Sequence, residues 1–317
     1  MTVLVTGGAG YIGAHVVRAL IAEGYDVAVA DDLSTGVAER IPGGTPLHVI
    51  DLAAAGATDG LIDVMRNPGV GGQVDSVVHL AARKQVGESV LEPEMYYSQN
   101  VGGLANVLAA MREVGAETLV FSSSAAVYGQ PETPSVTEAS PTVPISPYGE
   151  TKLIGEWLVR DAGVAWGLKH VSLRYFNVAG SGADELKDTF ELNLLPIALG
   201  RASRGQTVMV FGDSFPTTDG TCVRDYVHVV DLAEAHVAAL RNAGTGPSVV
   251  NIGTGQGSSV LEVLAALGAA RGSDLPYEIT EPRAGDPAAL TADVTLAAQA
   301  WNWHARFTLA DIAASAV

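Results

Sequence analysis

Residues 2–13 read TVLVTGGAGYIG, a β-branched apolar run followed at once by a glycine-rich turn. Gly7, Gly10 and Gly13 have the spacing G-x-x-G-x-x-G. The first glycine permits a tight turn, the second lets main-chain N–H groups approach a pyrophosphate, and the third allows a helix to pack closely on the strand. Residues 14–23 read as an amphipathic helix, whose N-terminal dipole favours an anion. The stretch therefore predicts a dinucleotide site at the start of an α/β fold.

A pair of acids bears on which dinucleotide binds. A second apolar run, residues 26–30, ends in Asp31 and Asp32. An acid at the end of that strand accepts hydrogen bonds from the adenosine ribose hydroxyls and repels a 2′-phosphate. No arginine adjoins the pair in the sequence, so we expect NAD rather than NADP. A glycine-rich turn without a ligand is the alternative, and the order of strand, turn, helix, strand and acid argues against it.

A second chemical signal lies in residues 146–152, SPYGETK. Pro147 opens a predicted helix, and the four-residue spacing places Tyr148 and Lys152 on one helical face. A neighbouring ammonium and a cationic nicotinamide ring both favour the tyrosine phenolate. Lowering the tyrosine pKa from ~10 to about 7 corresponds to about 4 kcal/mol. The Tyr-x-x-x-Lys pattern alone is weak evidence, because amphipathic helices often contain it by chance. It indicates catalysis here because the same chain also has a predicted dinucleotide site.

Composition limits the classes of partner and compartment. The formal net charge of -17 argues against nucleic acid and against an anionic membrane surface. The single cysteine, Cys222, fits a reducing compartment. Met1 runs directly into the first strand, and neither a signal peptide nor an apolar run of membrane-spanning length is evident. We therefore expect a cytoplasmic protein, and no residues have the spacing of a metal site.

Strand-like and helix-like segments alternate through the first half of the 317 residues. Predicted strands there are residues 47–50, 76–80, 118–122 and 170–174, and predicted helices are residues 57–66, 95–114 and 147–166. The alternation predicts an α/β fold with a Rossmann-like, doubly wound parallel sheet. We expect a first domain over residues 1–176, to which residues 225–254 can return, and a smaller C-terminal lobe over residues 177–317.

The second half is less regular. Its predicted segments are a loop at residues 179–188, helices at 191–204 and 227–240, strands at 207–212 and 248–252, and a turn at Gly255 and Gly257. This loss of regularity is what places a boundary near residue 177.

Six motifs carry a family resemblance. They are TGGAGYIG at 6–13, HLAARKQVGES at 79–89, FSSSAAVYG at 121–129, SPYGETK at 146–152, LRYFNVAG at 173–180 and DGTCVRDYVHV at 219–229. The chain resembles the extended short-chain dehydrogenase/reductase superfamily and, within it, the UDP-galactose (UDP-glucose) 4-epimerase family, over nearly its whole length. The resemblance implies an NAD-dependent isomerase of galactose and carbohydrate metabolism, whose C-terminal lobe binds the nucleotide sugar.

The resemblance also implies the site residues. The catalytic ones are Ser124, Tyr148 and Lys152. The NAD-binding ones are Gly7, Gly10, Tyr11, Ile12, Gly13, Asp31, Asp32, Asp51, Leu52, Leu80, Ala81, Ala82, Lys84, Gln99, Tyr148, Lys152 and Phe176. The substrate-binding ones are Lys84, Ser124, Tyr148, Asn177, Asn193, Val210, Phe211, Arg224, Arg283, Asp286 and Leu290.

The implied reaction is a reversible oxidation at C4 of a UDP-hexose. Tyr148 as phenolate takes the hydroxyl proton while C4 passes a hydride to NAD. The tethered 4-keto sugar turns over and receives the hydride on its other face, so NAD stays bound. Related dehydratases carry Thr-Asp-Glu where this chain has Ser124-Ala125-Ala126. Two alanines cannot transfer protons, which favours epimerisation over water elimination.

Several individual residues admit other roles. A surface or paired arginine is the alternative for Arg224 and for Arg283. Asp225 is expected as an ion-pair partner rather than a base. His79 is expected to be a hydrogen-bonded histidine at a strand end, and Cys222 a packed thiol.

Three departures from the family pattern affect detail. Gln99 stands where family members often have Asn, and the loop over residues 179–191 is shorter than in many relatives. Leu290 stands where some epimerases have a Tyr that narrows the sugar pocket. The smaller side chain suggests the hypothesis that N-acetylated sugars are admitted.

Three other functions remain open at this point. One is a 4-epimerase of another nucleotide sugar, such as a UDP-N-acetylhexosamine or a UDP-hexuronic acid. The others are a net oxidoreductase and a non-catalytic NAD-binding sensor, which commonly lacks the Tyr-Lys pair. We also expect a homodimer in which residues 95–114 and 147–166 form a four-helix bundle. The outward apolar positions of that bundle are predicted to be Leu104, Leu108, Leu153 and Trp157.

Overall fold

The structure, a computed structural model, describes residues 1–283 and 285–317. The chain forms two compact units, each built from three segments. Unit 1 contains Met1–Val127, Pro144–Arg174 and Ala233–Val250, and unit 2 contains Tyr128–Val143, Tyr175–Leu232 and Asn251–Val317.

Within the described residues, a sheet of seven strands dominates the first half of the chain. The strands are β1 (Thr2–Thr6), β2 (Asp26–Asp31), β3 (Leu47–Val49), β4 (Ser76–His79), β5 (Thr118–Ser122), β7 (Lys169–Tyr175) and β11 (Val249–Ile252), in the order β11-β7-β5-β4-β1-β2-β3. The pairings from β7 through to β3 are all parallel. Every residue of β1 is buried, as expected for a strand covered on both faces. The predicted Rossmann-like fold is confirmed.

Helices follow the strands of this sheet in alternation. They are α1 (Tyr11–Ala22), α2 (Ala57–Arg66), α3 (Val86–Leu91), α4 (Pro93–Tyr96), α5 (Gly103–Val114) and α6 (Pro147–Trp166). The bounds of α6 agree with the prediction because Pro147 occupies its first turn and Gly167 ends it in the left-handed region. The single helix predicted over residues 95–114 is wrong in detail. A π-helical turn, Tyr97–Gly102, separates α4 from α5, and such turns are frequent at functional sites.

The remaining elements are mostly those of unit 2. They are β6 (Ser135–Val136), β8 (Asn177–Ala179), α7 (Leu194–Ser203), β9 (Val208–Phe211), β10 (Val223–His228), α8 (Val229–Asn242), β12 (Gly257–Ser259), α9 (Val260–Arg271), β13 (Tyr277–Thr280), β14 (Ala289–Ala292), α10 (Thr295–Trp301) and α11 (Leu309–Ala316). Strand β10 pairs with β8, β12 and β14, and β9 pairs with β13.

Two local predictions in this half are wrong. Residues 227 and 228, predicted as helix, belong to strand β10, and the helix begins only at Val229. The predicted turn at Gly255 and Gly257 contains the start of strand β12, which pairs antiparallel with β10. Short strands of two or three residues give too few positions for a period-2 pattern to show.

The predicted outward apolar positions are also wrong in three cases out of four. Leu104 and Leu108 lie in the core cluster of unit 1, and Leu153 is 6% exposed. Trp157, at 48%, is the one that faces outward. In the part of the chain that the structure covers, no helix is both long and apolar enough to cross a bilayer.

Candidate active site

The glycine-rich turn after β1 is held so closely that side chains are excluded. Gly7 has a positive φ of 72°, and its N–H donates to Ala30 O at 2.8 Å. A Cβ on Gly13 would lie 2.0 Å from Gly7 O. The helix therefore approaches the strand end as closely as a pyrophosphate-binding turn requires. This cradle fits a dinucleotide, and the turn lies next to the point where the strand order reverses between β1 and β4.

Asp31 ends β2 beneath this turn and is buried. Its carboxylate accepts hydrogen bonds from Ala9 N and Leu33 N, both at 2.9 Å. Burial raises the pKa of Asp31, and these two hydrogen bonds oppose the rise. Leu33 has a positive φ of 58°, which is uncommon for a leucine. Asp31 thus fixes the turn and an adjacent strained residue that the sequence did not reveal.

An arginine does lie beside the acid pair, contrary to what the sequence suggested. Arg83 Nη2 is 3.8 Å from Asp32 Oδ2, although the two are distant in sequence. Asp32 also accepts hydrogen bonds from the main chain and hydroxyl of Ser34. The arginine therefore reaches Asp32 rather than Asp31, and its charge is balanced there.

Tyr11 and Ile12 begin helix α1, and several other predicted cofactor residues of unit 1 follow the ends of β3 and β4. Leu80 N and Ala81 N donate to Thr6 O, which ties the end of β4 to β1. Asp51 is exposed after β3 and accepts from Ala53 N at 2.9 Å, and Lys84 is exposed. The positions are those expected of a ligand-binding edge in an open α/β sheet.

Gln99, one of the departures, lies in the π-helical turn and is half-buried. Its neighbour Asn100 is buried and holds Arg83 by two hydrogen bonds: Asn100 Oδ1 accepts from Arg83 N at 2.8 Å, and Asn100 Nδ2 donates to Arg83 O at 3.0 Å. Asn100 Nδ2 also donates to Thr151 Oγ1 on α6 at 3.0 Å. Sequence reasoning missed this role of Asn100, because it depends on contacts between segments that are distant in sequence.

The three predicted catalytic residues meet in unit 1. Ser124 lies close enough to Tyr148 for its hydroxyl to lower the pKa of the phenol, and it accepts a hydrogen bond from Ala126 N at 3.2 Å. Lys152 Nζ lies 5.9 Å from the centroid of the Tyr148 ring and donates to Ser122 O at 2.8 Å. Tyr148 and Lys152 are both buried, at 8% and 3% exposure. The structure thus brings these three side chains together at the end of β5 and the start of α6.

Burial changes the pKa values of this group in a way the sequence did not indicate. It lowers the pKa of Lys152 to about 7. It raises the pKa of Tyr148, and the hydrogen bond from Ser124 acts in the opposite direction. In the chain without a cofactor, burial therefore favours the protonated form of Tyr148, which agrees with the expectation that Lys152 and a cationic nicotinamide ring act together.

His79 at the end of β4 has the structural role that was predicted. Its Nδ1 lies 2.8 Å from Thr6 Oγ1, and its ring stacks on Phe121. Burial and the nearby Lys152 cation lower the pKa of His79 to about 3. The ring is therefore neutral and adds no second positive charge beside Lys152.

In unit 2, the structure brings together three of the residues predicted to bind the nucleotide sugar. Arg224 Nη2 lies 3.4 Å from Asp286 Oδ1, and Arg224 Nη1 donates to Pro287 O at 2.7 Å. Leu290 stands opposite Arg224 in the pairing of β10 with β14 and is buried. The side chain of Arg224 is 15% exposed, so its guanidinium is largely oriented by protein oxygens.

Asp225, the next residue, does not form the predicted ion pair. Its fully buried carboxylate accepts hydrogen bonds from Thr254 N, Gly255 N and Ala292 N, and from the Thr254 hydroxyl. Burial raises the pKa of Asp225, and these hydrogen bonds oppose the rise. The carboxylate joins three segments of unit 2 and so supports the strand that carries Arg224.

The residues predicted to contact the base and diphosphate differ in accessibility. Phe211 is exposed, and the Arg283 guanidinium lies over its ring at 3.8 Å from the centroid. Val210 points into the core of unit 2, so only its main chain is available. Asn177 and Asn193 are exposed. Phe176, which was predicted to bind the cofactor, is buried. Cys222 is a buried free thiol, as expected.

The fold and these side chains define a class: a dinucleotide-binding α/β protein with a glycine-rich turn and a serine–tyrosine–lysine group in the same unit. The comparison with known families agrees. Residues 3–253 match the NAD dependent epimerase/dehydratase family, and the chain belongs to that family.

Several UDP-glucose 4-epimerases are similar to this chain over nearly its whole length. The UDP-glucose 4-epimerase of Lacticaseibacillus casei is 40% identical, over 96% of this chain and 97% of its own. The crystal structure of UDP-glucose 4-epimerase from Brucella ovis in complex with NAD is 39% identical, with a TM-score of 0.93 over 99% of this chain and 97% of that one. The enzyme from Bifidobacterium longum in complex with NAD+ and UDP is 37% identical, with a TM-score of 0.89 over 100% and 97% of the two chains.

Proposed function

We propose that this protein interconverts UDP-galactose and UDP-glucose by epimerisation at C4, through a transient 4-keto sugar and with tightly held NAD. The observation that carries the proposal is the buried Tyr148–Lys152 pair on one face of α6, with Lys152 Nζ held by Ser122 O at the end of β5, next to Ser124. The near-full-length similarity to UDP-glucose 4-epimerases supports the choice of substrate.

The residues of unit 1 hold and move the proton. Tyr148 accepts the proton of the 4-hydroxyl, and Ser124 donates a hydrogen bond to the reacting oxygen. When bound, NAD supplies a hydride acceptor and a cationic ring that favours the phenolate. Lys152, held by Ser122 O, orients the cofactor ribose and stabilises the negative oxygen of Tyr148. Tyr148 would return the proton to the 4-oxygen as C4 regains its hydrogen on the other face, which balances the cycle.

The cofactor would be held by the glycine turn and Asp31, with Asp32, Asp51, Lys84 and Gln99 around it. Gly7 and Gly13 let the turn and the helix pack closely against neighbouring main chain, and Gly10 lets main-chain N–H groups approach the pyrophosphate. Asp31 accepts from the ribose hydroxyls with the lone pairs that its two main-chain hydrogen bonds leave available.

Unit 2 supplies the cations that a diphosphate needs on a chain of net charge -17. Arg224 binds phosphate through its guanidinium, and Asp286 orients that group and accepts from the uridine ribose. Arg283 binds phosphate beside Phe211 and Val210, which line the uracil. Asn177 and Asn193 add hydrogen-bond donors for the diphosphate.

We propose further that the chain forms a homodimer through the exposed face of α6. Trp157 and Val164 lie seven residues apart on that helix and are 48% and 85% exposed. The Tyr97 hydroxyl donates to Glu150 on α6, which adds an exposed aromatic ring to the same surface. Sedimentation of the wild type and of Trp157→Glu tests this: a dimer and a monomer are expected, and a monomeric wild type would contradict it.

An isotope experiment tests the proposed reaction. UDP-galactose deuterated at C4 is converted without added NAD, and the product is analysed by NMR. The proposal predicts UDP-glucose that retains deuterium at C4, because the same hydride leaves and returns. Loss of the label to solvent, or accumulation of a 4-keto product, would contradict it.

A further inference from the structure

Three consecutive serines at the end of β5 contact three consecutive turns of helix α6. Ser124 lies close enough to Tyr148 to lower its pKa, Ser122 O accepts from Lys152 Nζ, and the Ser123 hydroxyl donates to Glu156 Oε1. Tyr148, Lys152 and Glu156 are spaced by four residues, so they share one face of α6. Two of these contacts belong to the catalytic group described above, and the third lies outside it.

The third contact is anchored by a buried ion pair. Arg174 on β7 makes a two-pronged interaction with Glu156, with Nε–Oε1 at 2.9 Å and Nη2–Oε2 at 2.7 Å. The side chains of Arg174 and Glu156 are 7% and 6% exposed, and Ser123 is fully buried. A bidentate arginine–carboxylate pair fixes the carboxylate in orientation as well as in position.

Burying the Arg174–Glu156 ion pair costs free energy of hydration. Buried pairs contribute little net stability, because the loss of hydration offsets their attraction. Here the carboxylate has a further partner, Ser123, which lies between the residues that contact Tyr148 and Lys152. The position of the Ser123 main chain determines where Ser122 O and Ser124 Oγ are placed.

We propose that Glu156, held by Arg174, is a positioning residue for catalysis. Its contact with Ser123 fixes residues 122–124 against helix α6. Ser124 and Lys152 are thereby held in place beside Tyr148. This rests on the proposed epimerase function of the same site. Proton and hydride transfer are sensitive to displacements well below 1 Å. Substrate capture by unit 2 does not depend on this contact.

The experiment measures kcat and KM for UDP-galactose together with the melting temperature. The direct variant is Glu156→Gln, which keeps an acceptor for Ser123 but leaves the Arg174 charge unbalanced. Because it can fail to fold, Ser123→Ala is the decisive variant, since it removes only the hydroxyl that Glu156 accepts from. Ser76→Ala is the matched control: Ser76 is buried on the neighbouring strand β4, and its hydroxyl has no partner within the described chain.

The expected result is a kcat about tenfold lower in Ser123→Ala, which corresponds to about 1.4 kcal/mol in the activation free energy. KM and the melting temperature stay near the wild-type values, and Ser76→Ala leaves all three unchanged. A kcat within twofold of the wild type in Ser123→Ala, or a fall matched by Ser76→Ala, would overturn the positioning role. An inactive wild type would instead overturn the proposed epimerase function on which it rests.

Discussion

Lys152 offers a quantitative test because its amine is buried beside Tyr148. Its Nζ has one main-chain acceptor, Ser122 O, and burial lowers its pKa to about 7. The ordinary lysine value is 10.5. The difference corresponds to a cost on the order of 5 kcal/mol for the charged form in the folded state.

The sign of the pH dependence follows from this lowered pKa. Below about pH 7 the folded and unfolded states are both charged, and the folded state bears the whole cost. Between pH 7 and pH 10.5 the unfolded state binds more protons, so stability rises with pH. Between pH 7 and pH 9 we expect this lysine to add about 2 kcal/mol to the free energy of unfolding.

The assay is urea unfolding of protein freed of dinucleotide, at pH 7 and pH 9. The comparison is between the wild type, Lys152→Met and the control Lys169→Met, which alters an exposed lysine paired with Glu117. The wild type and Lys169→Met should both gain about 2 kcal/mol relative to Lys152→Met as the pH rises. Parallel changes in all three proteins would refute the inference that Lys152 is buried with a lowered pKa.

Three further substitutions test the site. In Gly13→Ala the added Cβ would lie 2.0 Å from Gly7 O, so we expect a loss of about 2 kcal/mol in stability and little NAD in the purified protein; full NAD content measured by absorbance would contradict this. Arg224→Met should raise KM for the UDP-sugar by about 10- to 100-fold, since one charged hydrogen bond contributes about 1.5–3 kcal/mol, and an unchanged KM would remove Arg224 from the diphosphate site. Leu290→Tyr should reduce turnover of UDP-N-acetylgalactosamine more than that of UDP-galactose. No turnover of the N-acetylated sugar by the wild type would reject the wide-pocket hypothesis.

Much of unit 1 was predictable because its signals are local. The bounds of helix 147–166 followed from a proline and a glycine, and strand 118–122 from an apolar run. The glycine turn and the Tyr-Lys spacing are likewise contained within short segments. Such features depend on main-chain geometry, which the sequence specifies directly.

Features that depend on distant contacts were not predictable. Arg83 reaches Asp32 across residues that form two further strands, and Asp225 joins segments near residues 254 and 292. The sequence did not show that burial raises the pKa of Tyr148 and lowers the pKa of Lys152, because burial depends on the packing of the whole unit. Short strands such as Gly257–Ser259 left no readable pattern.

The central claim is tested most directly by the conversion of UDP-galactose to UDP-glucose by the purified protein, with Tyr148→Phe in parallel and no NAD added. Phenylalanine fills the same buried space but has no hydroxyl to accept a proton or a hydrogen bond from Ser124. We predict turnover by the wild type and a loss of about 100- to 10,000-fold in the variant. An inactive wild type with NAD supplied, or an equally active variant, would contradict the account.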